Sequence, residues 1–152
     1  MPFDPVETWK TMRVRVWPEE YFIVDLPHRE GEMALSLLQH SSGRFCSITR
    51  DQFAFSIVVD RTTWEERGKE DRADRCLGPL RVLSTDSDLP FDVPGFIRTA
   101  LEPVNARKLK AAPICGLQSD HFFTGAADVS KVAAIFETFC REVVFVPESG
   151  AG

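Results

Sequence analysis

Residues that can carry acid–base chemistry gather between positions 86 and 121. Asp120 and His121 are adjacent in the chain, and Cys115 lies just before them. Three further acids stand in one polar stretch, at Asp86, Asp88 and Asp92. A carboxylate and an imidazole can serve as general base and acid, so one hypothesis is a small enzyme using Asp120 and His121 in a biosynthetic step. Neighbouring residues on a strand point to opposite faces, so this pair needs a bend in the turn.

A second kind of chemistry is indicated by Gly95, which follows Asp92-Val93-Pro94 and opens a predicted helix. The first turn of a helix presents free N–H groups that favour an anion. A glycine there allows close approach because it has no Cβ. Asp120, in a predicted tight turn, could bind a cation. Simpler roles remain open, since glycine and aspartate are both common turn residues.

Composition excludes several classes of protein. The 152 residues are 43% hydrophobic and 27% charged, which is typical of a globular domain, and the net charge of −5 disfavours nucleic-acid binding. No apolar run approaches the ~20 residues of a membrane span. The N-terminal residues lack the apolar segment of a secretion signal, which predicts a cytoplasmic location.

The four cysteines and the histidines give no metal or redox motif. The cysteines do not pair at two-residue spacing, so reduced thiols are expected (Cys46, Cys76, Cys115 and Cys140). His28 and His40 are separated from each other and from acids at ligand spacing. We therefore predict no metal site and no cofactor.

Hydrophobic patterning predicts alternating strands and helices. Strands are expected at residues 12–17, 21–26, 45–49, 53–59, 80–84, 112–117, 121–124 and 143–146. Helices are expected at 29–40, at 95–108 with Pro103 as a kink or break, and at 129–141 with Asp128 as N-cap. Residues 1–11 and 148–152 are predicted to be tails, and the charged stretch 61–77 a connector.

The two halves of the chain resemble each other at an offset of 68 residues. Val14 then falls on Val82, Asp60 falls on Asp128, and SITRDQFAFS falls on CGLQSDHFFT. The repeated order of strand, helix, strand, turn and strand is that of a split β-α-β plan, with a helix packed on one face of an antiparallel sheet.

Three segments carry a resemblance to a known family. MRVRVWPEEYFIVDLP, RFCSITRDQFAFSIV and FDVPGFIRTALEPVNARKLKAAPICGLQSDHFF resemble, in order and spacing, the small tandem ACT proteins of bacteria and fungi. They are also similar to the amino-acid-binding ACT pair of the cytosolic arginine sensor upstream of the TOR kinase.

The resemblance implies an α+β fold of two ferredoxin-like (ACT) βαββ-type modules packed side by side, with antiparallel sheets and helices on one face. The modules would span residues 12–60 and 78–147. It also implies a non-catalytic, regulatory, amino-acid-binding protein.

The implied ligand lies between the modules, held by a helix N-terminus and an acidic turn. The ligand-binding residues carried over by position are Asp92, Val93, Gly95, Cys115, Gly116, Leu117, Gln118 and Asp120. Cys115 to Gln118 stand where the family commonly has Ser-Thr and an aromatic residue.

Two further expectations concern partners. ACT modules often pair with another copy, so the resemblance implies a homodimer through sheet edges. The third hypothesis is a pure interaction module, in which the apolar segments FFTGAA and FAFSIVV form an edge for pairing.

Overall fold

The computed structural model describes residues 2–148 and confirms the predicted α+β class. Eight strands are β1 (Arg13–Val16), β2 (Tyr21–Leu26), β3 (Ser47–Arg50), β4 (Phe55–Asp60), β5 (Arg75–Thr85), β6 (Ala112–Cys115), β7 (Asp120–Gly125) and β8 (Glu142–Phe145). Five helices are α1 (Pro5–Thr11), α2 (Gly31–Gln39), α3 (Arg61–Arg67), α4 (Phe96–Ala106) and α5 (Val129–Phe136). Single 3₁₀ turns cover His28–Glu30, Glu70–Arg72 and Ala126–Asp128.

The chain divides into two compact units. The continuous unit is Glu19–Leu80, and the split unit combines Met1–Pro18 with Arg81–Gly152. These boundaries differ from the predicted modules, because β1 belongs to the split unit and the first part of β5 to the continuous unit. Of the predicted tail at 148–152, only Glu148 lies within the described residues.

The continuous unit runs β2-α2-β3-β4-α3-β5, with its strands in the order β3-β4-β2-β5 and every pair antiparallel. This is the connectivity of a ferredoxin-like unit. Its core joins one sheet face to α2 and α3 and includes Val24, Leu37, Ile57 and Trp64. The predicted connector at 61–77 is wrong in its first half, because α3 forms there and buries the Trp64 ring to 5% exposure.

The split unit repeats the same connectivity from the second part of β5 through α4, β6, β7, α5 and β8. Its strand order is β6-β7-β5-β1-β8, so β1 separates β5 from β8. β1 is antiparallel to β5 and parallel to β8, with Val14 opposite both Thr85 and Val143. The core lies between this sheet and the three helices α1, α4 and α5.

Helix α1 replaces the predicted N-terminal tail. Asp4 is its N-cap and accepts a hydrogen bond from the Glu7 amide at 2.9 Å, while Pro5 fills the first helical position. An acidic cap followed by proline and then glutamate is a helix-start signal that the lack of apolar periodicity obscured. Trp9 on this helix is fully buried.

Two local expectations for the helices are settled in part. α4 continues through Pro103 to Ala106, so of the predicted alternatives, a kink or a break, the break is wrong. Asp128 occupies the N-cap position of α5, but its side chain makes no capping hydrogen bond.

The two apolar segments proposed as a pairing edge are not edges of their units. FAFSIVV contains β4, which lies between β3 and β2, and FFTGAA contains β7, which pairs with β5 and β6. Ile57 and Phe122 are both fully buried, so these segments contribute to the cores.

Candidate ligand pocket in the split unit

A pocket of about 320 Å³ opens in the split unit, at the start of α4. One wall is the loop before α4 together with its first turn, and the other is the end of β6 with the following turn into β7. Its lining residues are Leu89, Pro90, Phe91, Val93, Gly95, Phe96, Ile97, Arg98, Cys115, Gly116, Leu117 and Asp120. The volume is at the lower end of the range of about 300–1,000 Å³ typical of small-molecule sites.

The structure brings together most of the residues predicted to bind a ligand. Six of them line this pocket: Val93, Gly95, Cys115, Gly116, Leu117 and Asp120. Asp92 and Gln118 are not in the lining. Their backbone carbonyls instead hold the loop, accepting hydrogen bonds from the Phe3 amide at 2.8 Å and the Leu89 amide at 3.3 Å.

Glycine is required at the start of α4 by the backbone itself. Gly95 has φ +82° and ψ 7°, a left-handed conformation that is costly for other residues. An added Cβ would meet only Pro5 Cγ, at 3.7 Å, so the constraint comes from the dihedral angle and not from crowding.

The first turn of α4, whose residues line the pocket, contains amide groups that are free to donate. The Phe96 amide donates to the Val93 carbonyl at 3.2 Å, and the Thr99 amide donates to the Gly95 carbonyl at 2.9 Å. Within residues 2–148, the amides of Ile97 and Arg98 have no acceptor. Both residues line the pocket, so this end of the helix favours an anion or a carboxylate.

Trp9 holds the beginning of α4 in place. Its ring stacks on Phe96 with centroids 4.1 Å apart, and its Nε1–H donates to the Phe96 carbonyl at 2.8 Å. Phe139 packs edge-on against the same indole. Sequence reasoning missed this support because it left α1 unassigned.

Asp120 is a buried carboxylate without a cationic partner. The residue is 6% exposed, and no Lys, Arg or His of the described chain forms an ion pair with it. Its own amide donates to Thr85 Oγ1 at 3.0 Å, which fixes the backbone. Burial raises the pKa of Asp120, although the Cys115 thiol and the Gly116 amide act in the opposite direction. A cation entering the pocket would supply the missing counter-charge.

The Cys115 thiol is not set up as a nucleophile. Burial, followed by the nearby Asp120 carboxylate, raises its pKa. A thiol needs a lowered pKa to react readily at neutral pH.

His121 does not share the pocket with Asp120. Its Nδ1 lies 2.6 Å from Ser84 Oγ, which also accepts the indole N–H of Trp17 at 2.8 Å. Burial lowers the pKa of His121. Asp120 lines the pocket and His121 does not, in keeping with strand alternation, so the two side chains do not meet in this pocket.

In the corresponding corner of the continuous unit, a histidine side chain bridges the helix side to the hairpin turn. There, His28 Nε2 lies 2.7 Å from the Asp51 carbonyl in the turn between β3 and β4, and its ring packs edge-on against Phe55. The Asp51 carboxylate accepts the amides of Phe53 and Ala54 at 2.8 and 3.1 Å. The Asp51 carboxylate is exposed to solvent, whereas the Asp120 carboxylate is buried.

Two broader observations concern the described residues. No three His, Cys, Asp or Glu side chains among them are grouped so that they could hold a metal ion. None of their helices has the length and apolar character needed to cross a membrane.

No protein-family model matches the sequence. No curated protein matches it either.

Solved structures with the same fold do exist. A structural-genomics target from Agrobacterium tumefaciens has a TM-score of 0.73 at 19% identity, covering 91% of this chain and 96% of its own. The aspartate kinase of Clostridium acetobutylicum, described as allosteric, has a TM-score of 0.59 at 14% identity, covering 83% of this chain and 34% of its own. The aspartate kinase regulatory subunit of Thermus thermophilus has a TM-score of 0.54 at 6% identity, covering 78% and 90%. The chain therefore shares its fold with aspartate kinase regulatory subunits, as the ACT resemblance implied.

Proposed function

We propose that this protein is a non-catalytic regulatory protein of ACT type that binds a free amino acid in the split-unit pocket. The observation that carries the proposal is Asp120: a carboxylate 6% exposed, without a cationic partner in the described chain, lining the same pocket as the first turn of α4. Keeping an unpaired carboxylate buried costs stability, and an ammonium group would offset that cost.

The two anchors match the two charged groups of an α-amino acid. In this proposal the ligand ammonium pairs with Asp120, and the ligand carboxylate accepts the amides of Ile97 and Arg98. Charge-assisted hydrogen bonds of this kind are worth about 1.5–3 kcal/mol each. A sensor with a dissociation constant of about 10–100 μM needs only about 5.5–7 kcal/mol in total, so two anchors and some apolar contact suffice.

The finer arrangement is also part of the proposal. We propose that the continuous and split units correspond to two ACT modules, in keeping with their shared strand-helix order. The predicted site lay between modules, whereas all the lining residues of this pocket belong to the split unit. The closer likeness to the arginine sensor's ACT pair remains a prediction.

Cellular setting and assembly remain predictions of the same proposal. The four free thiols fit a reducing compartment such as the cytoplasm. Pairing of two copies through sheet edges is checked by gel filtration with light scattering.

The test is a thermal-shift screen of the twenty amino acids. A ligand at 100 times its dissociation constant adds about 2.7 kcal/mol, which raises the melting temperature by several degrees. We expect a stabilising amino acid whose effect is abolished by Asp120→Asn. The matched control is Asp88→Asn, which removes the same charge from an exposed position in the adjoining loop and should retain the shift.

Chemical variants of the ligand test each anchor. Acetylating the amino group of the best amino acid, or converting its carboxylate to an amide, should each weaken binding at least tenfold. The proposal is wrong if no amino acid stabilises the protein, or if Asp120→Asn retains the full response.

A further inference from the structure

Two large apolar side chains at the mouth of the pocket are exposed to solvent. Phe91, in the loop before α4, is 87% exposed, and Leu117, in the turn after β6, is 75% exposed. Single exposed apolar residues are ordinary, but these two come from the two walls of one pocket. Leu89, Val93 and Ile97 extend the apolar lining inward.

The charged groups of the lining are few. Asp120 is its one anionic side chain and Arg98 its one cationic side chain among the described residues. The Arg98 guanidinium is already paired, with its Nε 2.7 Å from Glu102 Oε1 one helical turn away. An ammonium on Asp120 and a carboxylate at the α4 amides therefore leave the lining with one further charged group, Arg98, which lies in an exposed ion pair with Glu102.

We infer that the ligand is an amino acid with a large, neutral, apolar side chain, which packs between Phe91 and Leu117. This inference rests on the proposed function and specifies its ligand. A ligand with a cationic side chain would place that charge against apolar surface without a free counter-ion, and an anionic one would have to compete with Glu102 for the exposed Arg98, so neither is favoured. An aliphatic or aromatic side chain would instead remove both exposed apolar residues from water.

Calorimetric titration with a defined series of amino acids tests the inference. The probes are L-leucine, L-methionine and L-phenylalanine, compared with L-alanine, L-aspartate, L-lysine and L-arginine. We expect at least one of the first three to bind about tenfold or more tightly than alanine, because each buried methylene adds roughly 0.8 kcal/mol. The three charged amino acids should bind more weakly than that best apolar one.

Two substitutions at the mouth of the pocket, here called the rim, test whether Phe91 and Leu117 cause the preference for apolar over small side chains. Leucine should bind the parent protein more tightly than alanine does. Phe91→Ser and Leu117→Ser should each reduce that preference several-fold. Leu77→Ser is the matched control, since Leu77 is an exposed leucine (59%) in the continuous unit and outside this pocket. It should leave the preference unchanged.

The possible failures are distinguishable. If an amino acid with a charged side chain binds most tightly and Asp120→Asn abolishes its binding, the proposed function stands and this inference is wrong. If no amino acid binds, both are wrong. If Phe91→Ser and Leu117→Ser alter only the mass measured by light scattering, the rim is a self-association surface and the inference is overturned.

Discussion

Two buried aspartates have opposite electrostatic surroundings. Asp120 lies in the pocket wall without a cation, and burial raises its pKa. Asp60 is 1% exposed, but it accepts hydrogen bonds from the Thr63 amide at 2.9 Å, the Gly43 amide at 3.0 Å and nearby hydroxyls. Burial alone would raise the pKa of Asp60, yet these donors lower it overall. One carboxylate therefore costs stability, while the other contributes it.

For Asp120 we predict that removing the charge stabilises the empty protein. The folded-state pKa is raised, so the ionised form is favoured less in the fold than in the unfolded chain. Its contribution is fully present below the unfolded pKa of about 3.9 and is lost as pH rises through the higher folded value. Asp120→Asn should therefore gain roughly 1 kcal/mol of unfolding free energy at pH 7 and little at pH 3, measured by urea unfolding.

Removing a carboxylate charge from an exposed position is the control for this pH dependence of stability. Asp88→Asn should show no such pH-dependent gain, because Asp88 is exposed. A difference between Asp120→Asn and the parent protein that stays constant from pH 3 to pH 7 would contradict the assignment.

For Asp60 we predict the opposite sign. Asp60→Ala removes the N-cap of α3 and leaves several buried donors unpaired, which should cost about 3 kcal/mol at pH 7. Because its folded pKa is lowered, this stabilisation is present above the unfolded pKa and is lost as pH falls through the folded value. Urea unfolding monitored by circular dichroism measures the loss.

Asp128 provides an internal control for that experiment. It occupies the equivalent N-cap position of α5 but makes no capping hydrogen bond. Asp128→Ala should cost less than about 0.5 kcal/mol. Equal losses at the two positions would show that the hydrogen bonds around Asp60 do not matter.

At the scale of elements, α1 supports the pocket without lining it. Trp9 connects this short helix to the start of α4 through one hydrogen bond and a stacked ring. The orientation of the α4 amides therefore depends on a helix that precedes it by more than eighty residues in sequence.

We predict that Trp9→Phe lowers the local stability of the first turns of α4. The substitution retains an aromatic ring but loses the 2.8 Å hydrogen bond to the Phe96 carbonyl, at a cost of about 1–3 kcal/mol. Hydrogen–deuterium exchange should show faster exchange in the first two turns of α4. Val6→Ala, at a 48% exposed position on the same helix, should leave exchange there unchanged, and equal effects of both variants would rule out a specific role for Trp9.

The elements that sequence patterns predicted well are those with strong local signals. β2 lies at residues 21–26 as expected, because five of its six residues are aromatic or aliphatic and the run ends at Pro27. α4 and the β6–β7 turn were also recognised, so their shared corner could be predicted as a site. The first part of β5 was not, because Gly78 and Pro79 are typical of a turn although the strand continues through them.

Other parts of the site depend on contacts that local sequence does not encode. Phe91, Phe96 and Arg98 line the pocket, but nothing in their immediate sequence distinguishes them from ordinary loop and helix residues. The insertion of β1 between β5 and β8 joins residues about 130 positions apart, such as Arg13 and Glu142. Periodicity describes single elements and does not specify such pairings.

At the scale of the whole chain, the repeat provides two similar corners, each formed by a helix start and a hairpin turn, and the pocket described above lies in the corner of the split unit. The corner in the split unit contains an unpaired carboxylate, whereas His28 bridges the equivalent corner of the continuous unit. We therefore predict one amino acid bound per chain by calorimetry.

The same experiment on His28→Ala should still give one site. The Asp51 carboxylate would remain bound to the Phe53 and Ala54 amides and would not attract an ammonium. A stoichiometry of two per chain, in either protein, would show that both corners bind and that the distinction drawn between them is wrong.

The position of β1 has a consequence for biosynthesis. All residues of the continuous unit have been made once residue 80 has left the ribosome, but the split unit must wait for β8 to pair with β1, which is made about 130 residues earlier. A nascent chain in which every pocket residue has been made would thus still lack one strand of the unit that contains the pocket. Under the proposed function, amino-acid binding would follow the synthesis of β8.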